Sequence, residues 1–378
     1  MNTPPYDFAT GNTNPETFPA EDFAAAAADV IPALTVELNR YPGKLGHARM
    51  RRLMAEREYD REGVRLDPEQ IVLTNGSMQA ITLVAETLCA GIGAGGDKCV
   101  VMEAYNYVGT IRAFDAMGIE MVGVAQDAHG MRTDDLADVM DRLAADGRRP
   151  RFIYTLATYQ NPTGAMMPRD RRQELVEIAA KHDCVVVEDN CYGDVHFEGA
   201  KPPALYALDR SPRQIYICSL SKIFAPGVRL GYLIAAPEML DRILAYRNDA
   251  GPNTLAAALT AAYLDGRLWQ HVEMANAALK AKRDAMLDAL ESELGNLCSW
   301  SRPVGGLFLW LRRPDDVAVP ALQAAAEARG VTFADGGNFH IHGHAGPYIR
   351  LAFGFPPVDA IKTGIAELGA AIREVRGG

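Results

Sequence analysis

No basic stripe runs through this chain of 378 residues: 38 Lys and Arg stand against 48 Asp and Glu, for a formal net charge of −10 and a pI near 5.4. Binding a nucleic-acid backbone through counterion release needs clustered cations. The longest basic groups, Arg148-Arg149 with Arg151 and Arg169 with Arg171-Arg172, are short and read as solvated faces, so no nucleic-acid partner is expected. No apolar run reaches membrane-spanning length, and residues 1–10 lack the charged and apolar regions of a secretory leader. No membrane contact is expected, and a cytoplasmic location is. The six cysteines, Cys89, Cys99, Cys184, Cys191, Cys218 and Cys298, show no C-x-x-C spacing, which favours reduced core thiols over disulfides or zinc ligands. The Gly-rich run at 91–96 lacks the Gly-Lys-Ser/Thr ending of a phosphate-binding loop and reads as a turn. Internal repeats are also absent. What the chain does have is apolar mass: 48% hydrophobic residues, enough for a sizeable core and, at this length, two domains.

The most informative segment is Ser219-Leu220-Ser221-Lys222-Ile223-Phe224-Ala225-Pro226-Gly227-Val228-Arg229-Leu230-Gly231. It sets one lysine in a loop just after the apolar, strand-like run 215–218, with small hydroxyl residues before it and a Pro-Gly turn and an arginine after it. That grouping suits a Schiff-base lysine beside a phosphate site. Pyridoxal phosphate (PLP) needs an amine poised to lose its proton, and desolvation near other cations lowers a lysine's pKa. Ser219, Ser221 and Arg229 would supply hydroxyl and guanidinium donors to the cofactor's phosphate. A solvated loop lysine is the bland alternative.

Periodicity predicts helices over 21–38, 46–61, 77–89, 108–117, 133–146 and 169–182, alternating from 71 onward with short apolar strands at 71–73, 98–102, 121–124, 152–154, 185–188 and 215–218. Such alternation means βαβ units, an α/β fold with a mostly parallel sheet between helices. Past residue 237 the chain turns mainly helical, with an Ala-rich stretch over 255–294, strands at 305–311 and 347–352, and helices at 320–329 and 359–376. These suggest a smaller α+β domain. The expected division is an N-terminal segment at 1–40 that contributes to the small domain and the site, a large PLP-binding domain at 41–250, and a connecting helix with the C-terminal small domain at 251–378. The irregular stretch 3–19 is short enough to wrap over a site.

Four more segments carry chemistry. Thr74-Asn75-Gly76-Ser77-Met78-Gln79-Ala80 is a tight turn opening a helix, where free N–H groups and the helix dipole favour a phosphate; an ordinary N-cap is the alternative. In Gln160-Asn161-Pro162-Thr163-Gly164 an asparagine fixed before a proline can aim its amide at a phenolic oxygen, or simply make a turn. Val185 to Tyr192 ends a very apolar strand on Asp189, a carboxylate that needs a cationic partner such as a protonated pyridine nitrogen. Tyr348-Ile349-Arg350-Leu351-Ala352-Phe353 sets an arginine among strand-like apolar residues, able to fork onto a substrate carboxylate or to make a structural salt bridge.

In this order and spacing the five segments resemble the fold type I PLP-dependent enzymes of the class I/II aminotransferase family, over residues 11–373. The resemblance implies that Lys222 is the Schiff-base lysine, Asp189 the partner of the pyridine nitrogen, and Asn161 and Tyr192 the contacts of the phenolic oxygen. It also implies a phosphate site at Gly76, Ser77, Ser219, Ser221 and Arg229, an aromatic stacked on the ring at Tyr107, and an α-carboxylate site at Arg350 beside Asn161. Tyr41, in Tyr41-Pro42-Gly43, is similar to a tyrosine that reaches a phosphate across a homodimer interface, which implies a homodimer with shared sites. Segments 305–310 and 335–339 look most like the branch containing 2-aminoadipate, kynurenine and broad-specificity enzymes. The implied reaction moves an amino group between an L-amino acid and a 2-oxo acid by a ping-pong mechanism.

The chain departs from the family pattern at a few positions. Met78 stands where Gln is common, so only its backbone N–H would serve the phosphate, and Tyr105, Ala157 and Asn190-Cys191 replace residues that include prolines. A lyase, replacement or cyclisation reaction on the same framework is the alternative these changes leave open. His340, His342 and His344 alternate in a loop without supporting carboxylate or Cys spacing, so a metal site is not expected there. Similar modules also serve as effector-sensing domains behind a winged helix; with the fold-bearing segment starting near residue 11 and the charge acidic, an enzyme is expected. Lys222, Asp189 and Arg350, all intact, argue against a catalytically dead scaffold.

Overall fold

A computed structural model describes residues 4–92, 97–344 and 346–377; residues 93–96 of the Gly-rich run lie outside them. Seven strands form the central sheet: β1 (Ile71–Thr74), β2 (Cys99–Glu103), β3 (Glu120–Val124), β4 (Phe152–Thr155), β5 (Val185–Asp189), β6 (Gln214–Ser219) and β7 (Gly231–Ile234), in the order β1-β7-β6-β5-β4-β2-β3. Every pairing is parallel except those of β7, which runs antiparallel to both β1 and β6. Helices α1 (Ala20–Ala33), α2 (Ala48–Glu62), α3 (Ser77–Leu88), α4 (Val108–Ala116), α5 (Thr133–Ala145) and α6 (Arg169–Lys181) precede or connect the strands.

Strand composition explains the layering. Side chains alternate across a sheet, so a strand covered on both faces needs apolar residues throughout. Val100 and Met102 of β2 pack with Ile81 and Val84 of α3 on one face, while Val101 between them joins Leu136 and Leu143 of α5 and Leu175 of α6 on the other. All three β2 residues are fully buried. Each such side chain contributes about 1.5–3 kcal/mol over exposure.

After α7 (Pro237–Ala245), α8 (Thr254–Leu264) and α9 (Leu268–Leu294), a second sheet forms from β8 (Ser299–Trp300), β9 (Phe308–Arg312), β10 (Ala334–Asp335) and β11 (Tyr348–Ala352), in the antiparallel order β8-β9-β11-β10. Leu279, Met286 and Leu290 of α9, Leu322 and Ala326 of α10 (Val319–Glu327), and Ile361, Ile365 and Leu368 of α11 (Val358–Gly377) build its core. The N-terminal segment belongs with this unit: Tyr6–Asp7 pairs in parallel with Val331–Thr332, and Ala352 N donates to Phe8 O at 2.9 Å.

Several expectations are corrected. The helix expected over 21–38 stops at Ala33, with Pro32 in its last turn, and a separate 3-10 turn follows at Glu37–Asn39. The Ala-rich stretch is two helices, broken at 265–267 where Gly266 adopts φ +72°. The strand expected from 305 begins at Phe308, because Gly305 is spent on a close approach to the Tyr159 ring that any Cβ would block. Strand β7 was not foreseen; its Gly-Tyr-Leu-Ile run is short and follows the arginine loop directly.

Candidate active site

The parallel strands β1, β2, β4, β5 and β6 end at the same edge of the sheet, and the segments beyond them converge, as expected for a ligand site in an open α/β sheet. Beyond β1, Gly76 adopts φ +78°, ψ 167°, a conformation essentially confined to glycine. A Cβ there would collide with the Arg229 guanidinium, and one at Gly231 would lie 2.9 Å from Cys218 O and Ser77 N. These two missing side chains let the end of β6, the start of α3 and Arg229 crowd around one point. Arg229 Nη2 donates to Asn75 O at 3.2 Å, and Ser219 Oγ donates to Ser221 Oγ at 3.0 Å. With the unsatisfied N–H groups at Ser77 and Met78 and the positive end of the α3 dipole, they form an anion cradle.

Asp189, 3% exposed, ends β5. Its Oδ2 accepts from Tyr154 OH at 2.6 Å and its Oδ1 from Cys191 Sγ at 2.7 Å. Burial pushes its pKa up, while these two donors pull it back. Lys222 follows β6, half-buried, with Nζ donating to Gly11 O at 2.7 Å and lying 5.6 Å from the centroid of the Tyr192 ring. Burial, assisted by repulsion from Arg350 and Arg229, brings its pKa down to about 8.

Arg350 comes from β11 of the other sheet and is buried. Its Nη1 donates to Asn161 Oδ1 at 2.9 Å and its Nη2 to Ala9 O at 2.5 Å. The guanidinium carbon lies 4.2 Å from the centroid of Phe308 and 4.7 Å from that of Phe339, and Nε is buried without a partner among the described residues. Burial lowers its pKa to about 10.

Ser77, Met78, Tyr107, Asn161, Asp189, Tyr192, Ser219, Ser221, Lys222, Arg229 and Arg350 all line one cavity of about 440 Å³. Gly76 stands behind it as spacing rather than lining. Tyr41 does not join within this chain: it is 87% exposed and borders a separate cleft with Leu38 and Pro42. Sequence reasoning missed Tyr154, Phe308 and Phe339 as site residues. Tyr154 reads in the sequence only as a strand end, and Phe308 and Phe339 stand inside the larger segments 305–310 and 335–339. Ala9 to Asn12 of the N-terminal stretch also line this cavity. His340, His342 and His344 lie outside it with centroids 4.6–5.9 Å apart, His340 stacked on His344 and His342 tilted against both, and no group of three potential metal ligands forms among the described residues.

The family model for aminotransferase class I and II matches residues 5–359. The chain belongs to this family. It is 32% identical to the 2-aminoadipate transaminase of Thermus thermophilus, covering 97% of this chain and 89% of that one, and 31% identical to aromatic-amino-acid aminotransferase 1 of Thermococcus litoralis, covering 97% and 87%. Among solved structures, the alpha-aminoadipate aminotransferase LysN of Thermus thermophilus, complexed with N-(5'-phosphopyridoxyl)-L-leucine, superposes with a TM-score of 0.89 at 31% identity over 98% of this chain and 92% of that one. This aminotransferase has the fold type I architecture and pyridoxal phosphate as its cofactor. Its reaction is transamination between an amino acid and a 2-oxo acid, and the similarities favour no lyase or cyclase alternative. The residues present fit the cofactor: a cradle kept open by two glycines for a phosphate, and across the cavity a fully buried carboxylate suited to a protonated ring nitrogen.

Proposed function

We propose that this aminotransferase takes a large aromatic or acidic L-amino acid as donor and passes its amino group to a 2-oxo acid in a ping-pong cycle, with Lys222 as the base, Asp189 facing the cofactor's ring nitrogen and Arg350 anchoring the α-carboxylate. The observation that carries this reading is that these three groups and the anion cradle open onto one cavity. The cofactor, when bound, supplies an electrophilic carbon for amines and a ring that withdraws electrons from the substrate Cα–H bond. Ser219, Ser221, Arg229 and the N–H groups at Ser77 and Met78 would hold its phosphate, Tyr107 would cover a ring face, and Asn161 and Tyr192 would meet its phenolic oxygen.

Lys222 would hold the cofactor covalently when no substrate is present, and its Nζ is placed to take the Cα proton and return it. With a pKa near 8, a useful fraction of Nζ is neutral at ordinary pH. Among the described residues Arg350 hydrogen-bonds to neutral oxygens only, so its charge remains available for a carboxylate, and the flanking Phe308 and Phe339 rings keep water off the contact. A large or acidic donor is supported by the names of the relatives, and Arg112 brings a further cation to the same cavity.

A homodimer with shared sites follows from the same reading. Phe18, Ile31, Val36, Leu38 and Tyr41 leave an exposed apolar face along the N-terminal segment, and Tyr41 would reach the partner's phosphate site from there. The division into 1–40, 41–250 and 251–378 is proposed with it, as is a cytoplasmic location; no described helix is long and apolar enough to cross a membrane. A single-turnover panel of donors tests the function. A true donor alone converts the bound cofactor stoichiometrically to its amine form, and a 2-oxo acid restores it. No conversion with any aromatic or acidic amino acid would overturn the substrate assignment.

A further inference from the structure

We propose that Cys191 is a positioning residue for the transamination, donating its S–H to Asp189 Oδ1 so that the carboxylate is held ionised and in one orientation toward the cofactor's ring. The proposal rests on the role assigned to Asp189 above. Asp189 is 3% exposed and makes no ion pair within 4.0 Å among the described residues, so neutral donors must offset its burial. Two are side chains, one to each oxygen and from different directions, and the backbone N–H of Cys191 adds a third. Tyr154 OH, on β4, reaches Oδ2 at 2.6 Å and is itself backed by Thr110 Oγ1 at 3.1 Å. Cys191 Sγ, in the turn after β5, reaches Oδ1 at 2.7 Å.

The torsion that turns an aspartate carboxylate about its Cβ–Cγ bond is broad, so a single donor leaves the plane free to swing. Two donors on opposite oxygens pin it. A thiol is a weak donor, but one directed at an anion is charge-assisted. Burial and the adjacent Asp189 charge both push the Cys191 thiol pKa up, so it stays S–H and keeps its proton to donate. Other groups face the sulfur: Ser77 at the start of α3, Tyr107, Tyr154, Tyr192, Cys218 and Lys222. Of these, Ser77 also hydrogen-bonds to the thiol, and this draws its pKa back. Cys191 therefore sits between the start of the anion cradle and the carboxylate across the cavity, and it lines that cavity itself.

Two variants test the donor, one without the γ atom and one with a γ donor of similar size. Cys191→Ala removes the proton, and Cys191→Ser keeps one. In the cofactor-loaded enzyme, Cys191→Ala should lower kcat about three- to tenfold with KM unchanged, and raise the pH midpoint of the cofactor's visible band by about half a unit, because a less protonated ring withdraws fewer electrons. Cys191→Ser should restore both. In the apoenzyme, alkylation by iodoacetamide at pH 8, read by peptide mapping, should be about tenfold faster at Cys191 in Asp189→Asn than in the wild type, since the charge that holds the thiol proton is gone. Wild-type values of kcat and band midpoint in Cys191→Ala, a serine variant that behaves like the alanine one, or alkylation indifferent to Asp189→Asn would each overturn the proposal. None of these results touches the proposed function, which would fail instead through a wild-type enzyme that neither binds PLP nor transaminates.

Discussion

Replacing Gly76 by alanine tests the phosphate cradle with a single methyl group. The residue sits at φ +78°, ψ 167°, where a side chain costs about 1–3 kcal/mol in backbone strain. The new Cβ would also occupy the space of Arg229 Nη2, forcing the guanidinium away from Asn75 O, its partner at 3.2 Å. Against a typical total stability of about 5–15 kcal/mol the strain is tolerable, so the variant should fold. Its cofactor affinity should not survive as well. A charge-assisted hydrogen bond to phosphate contributes about 1.5–3 kcal/mol, so losing it weakens PLP binding about 10- to 150-fold. Visible-absorbance titration of the apoenzyme with PLP measures the Kd, and a circular-dichroism melt checks the fold. The mechanism is specific enough for a double-mutant cycle. If Gly76→Ala acts by displacing Arg229, then adding it to Arg229→Ala should cost little more affinity. A Kd within twofold of wild type, or losses that simply add, would refute the argument.

Four further outcomes follow from the site. Since the neutral amine is the reactive form, capture of PLP by the apoenzyme should accelerate as pH rises, with a midpoint near 8 rather than 10.5, and stopped-flow absorbance that still climbs steeply past pH 10 would contradict the Lys222 environment. The same shift has a stability sign: the folded amine loses its proton below the unfolded one, so the Lys222 contribution to apoenzyme stability increases as pH rises from about 8 toward 10.5, seen as a rising Tm that is absent in Lys222→Met. Asp189→Asn should retain PLP while lowering kcat by at least about a hundredfold, since the isosteric amide keeps the packing but no longer favours a protonated ring nitrogen; unchanged kcat would free Asp189 of its role. Arg350→Lys keeps a charge but loses the fork onto Asn161 and Ala9, so kcat/KM should fall by about 1–3 kcal/mol, roughly 5- to 150-fold, and an unaltered value would move the carboxylate anchor elsewhere.

What could be read from the sequence was whatever local chemistry dictates. Runs such as Val100-Val101-Met102 must be buried on both faces, so the parallel strands were legible, and with them the edge at which Ser77, Asn161, Asp189 and Lys222 meet. What local chemistry leaves open is decided by tertiary contact. Strand β7 carries only four residues and runs against its neighbours, with a direction set by the Arg229 turn at φ +53°. Tyr154 reads as one more apolar strand residue until the fold brings it 2.6 Å from a carboxylate 35 positions later. Phe308 and Phe339 belong to the small-domain segments and gain a function only when Arg350 lies between their rings. Pairings of this kind have no periodicity or spacing to announce them.

The buried cations make the division between structure and function visible in electrostatic terms. Arg57 is 1% exposed and forms ion pairs with Asp194 and Glu58; despite its burial, the Asp194 charge raises its pKa well above the ordinary value. Such an arginine is neutralised where it stands and has no capacity left for a ligand. Arg350 is nearly as deep, yet its hydrogen-bond partners are an amide oxygen and a backbone carbonyl, and burial leaves its pKa lowered. Lys222 is treated alike, held by Gly11 O and likewise lowered. Neutral acceptors orient a cation without cancelling its charge. Both cations therefore carry a desolvation cost that an arriving anion would relieve for Arg350 and that loss of a proton would relieve for Lys222, which suits them to the carboxylate and base roles proposed for them. Ala9 and Gly11, near neighbours in the N-terminal segment that lines the cavity, supply both carbonyls, so one short stretch of backbone orients both cations.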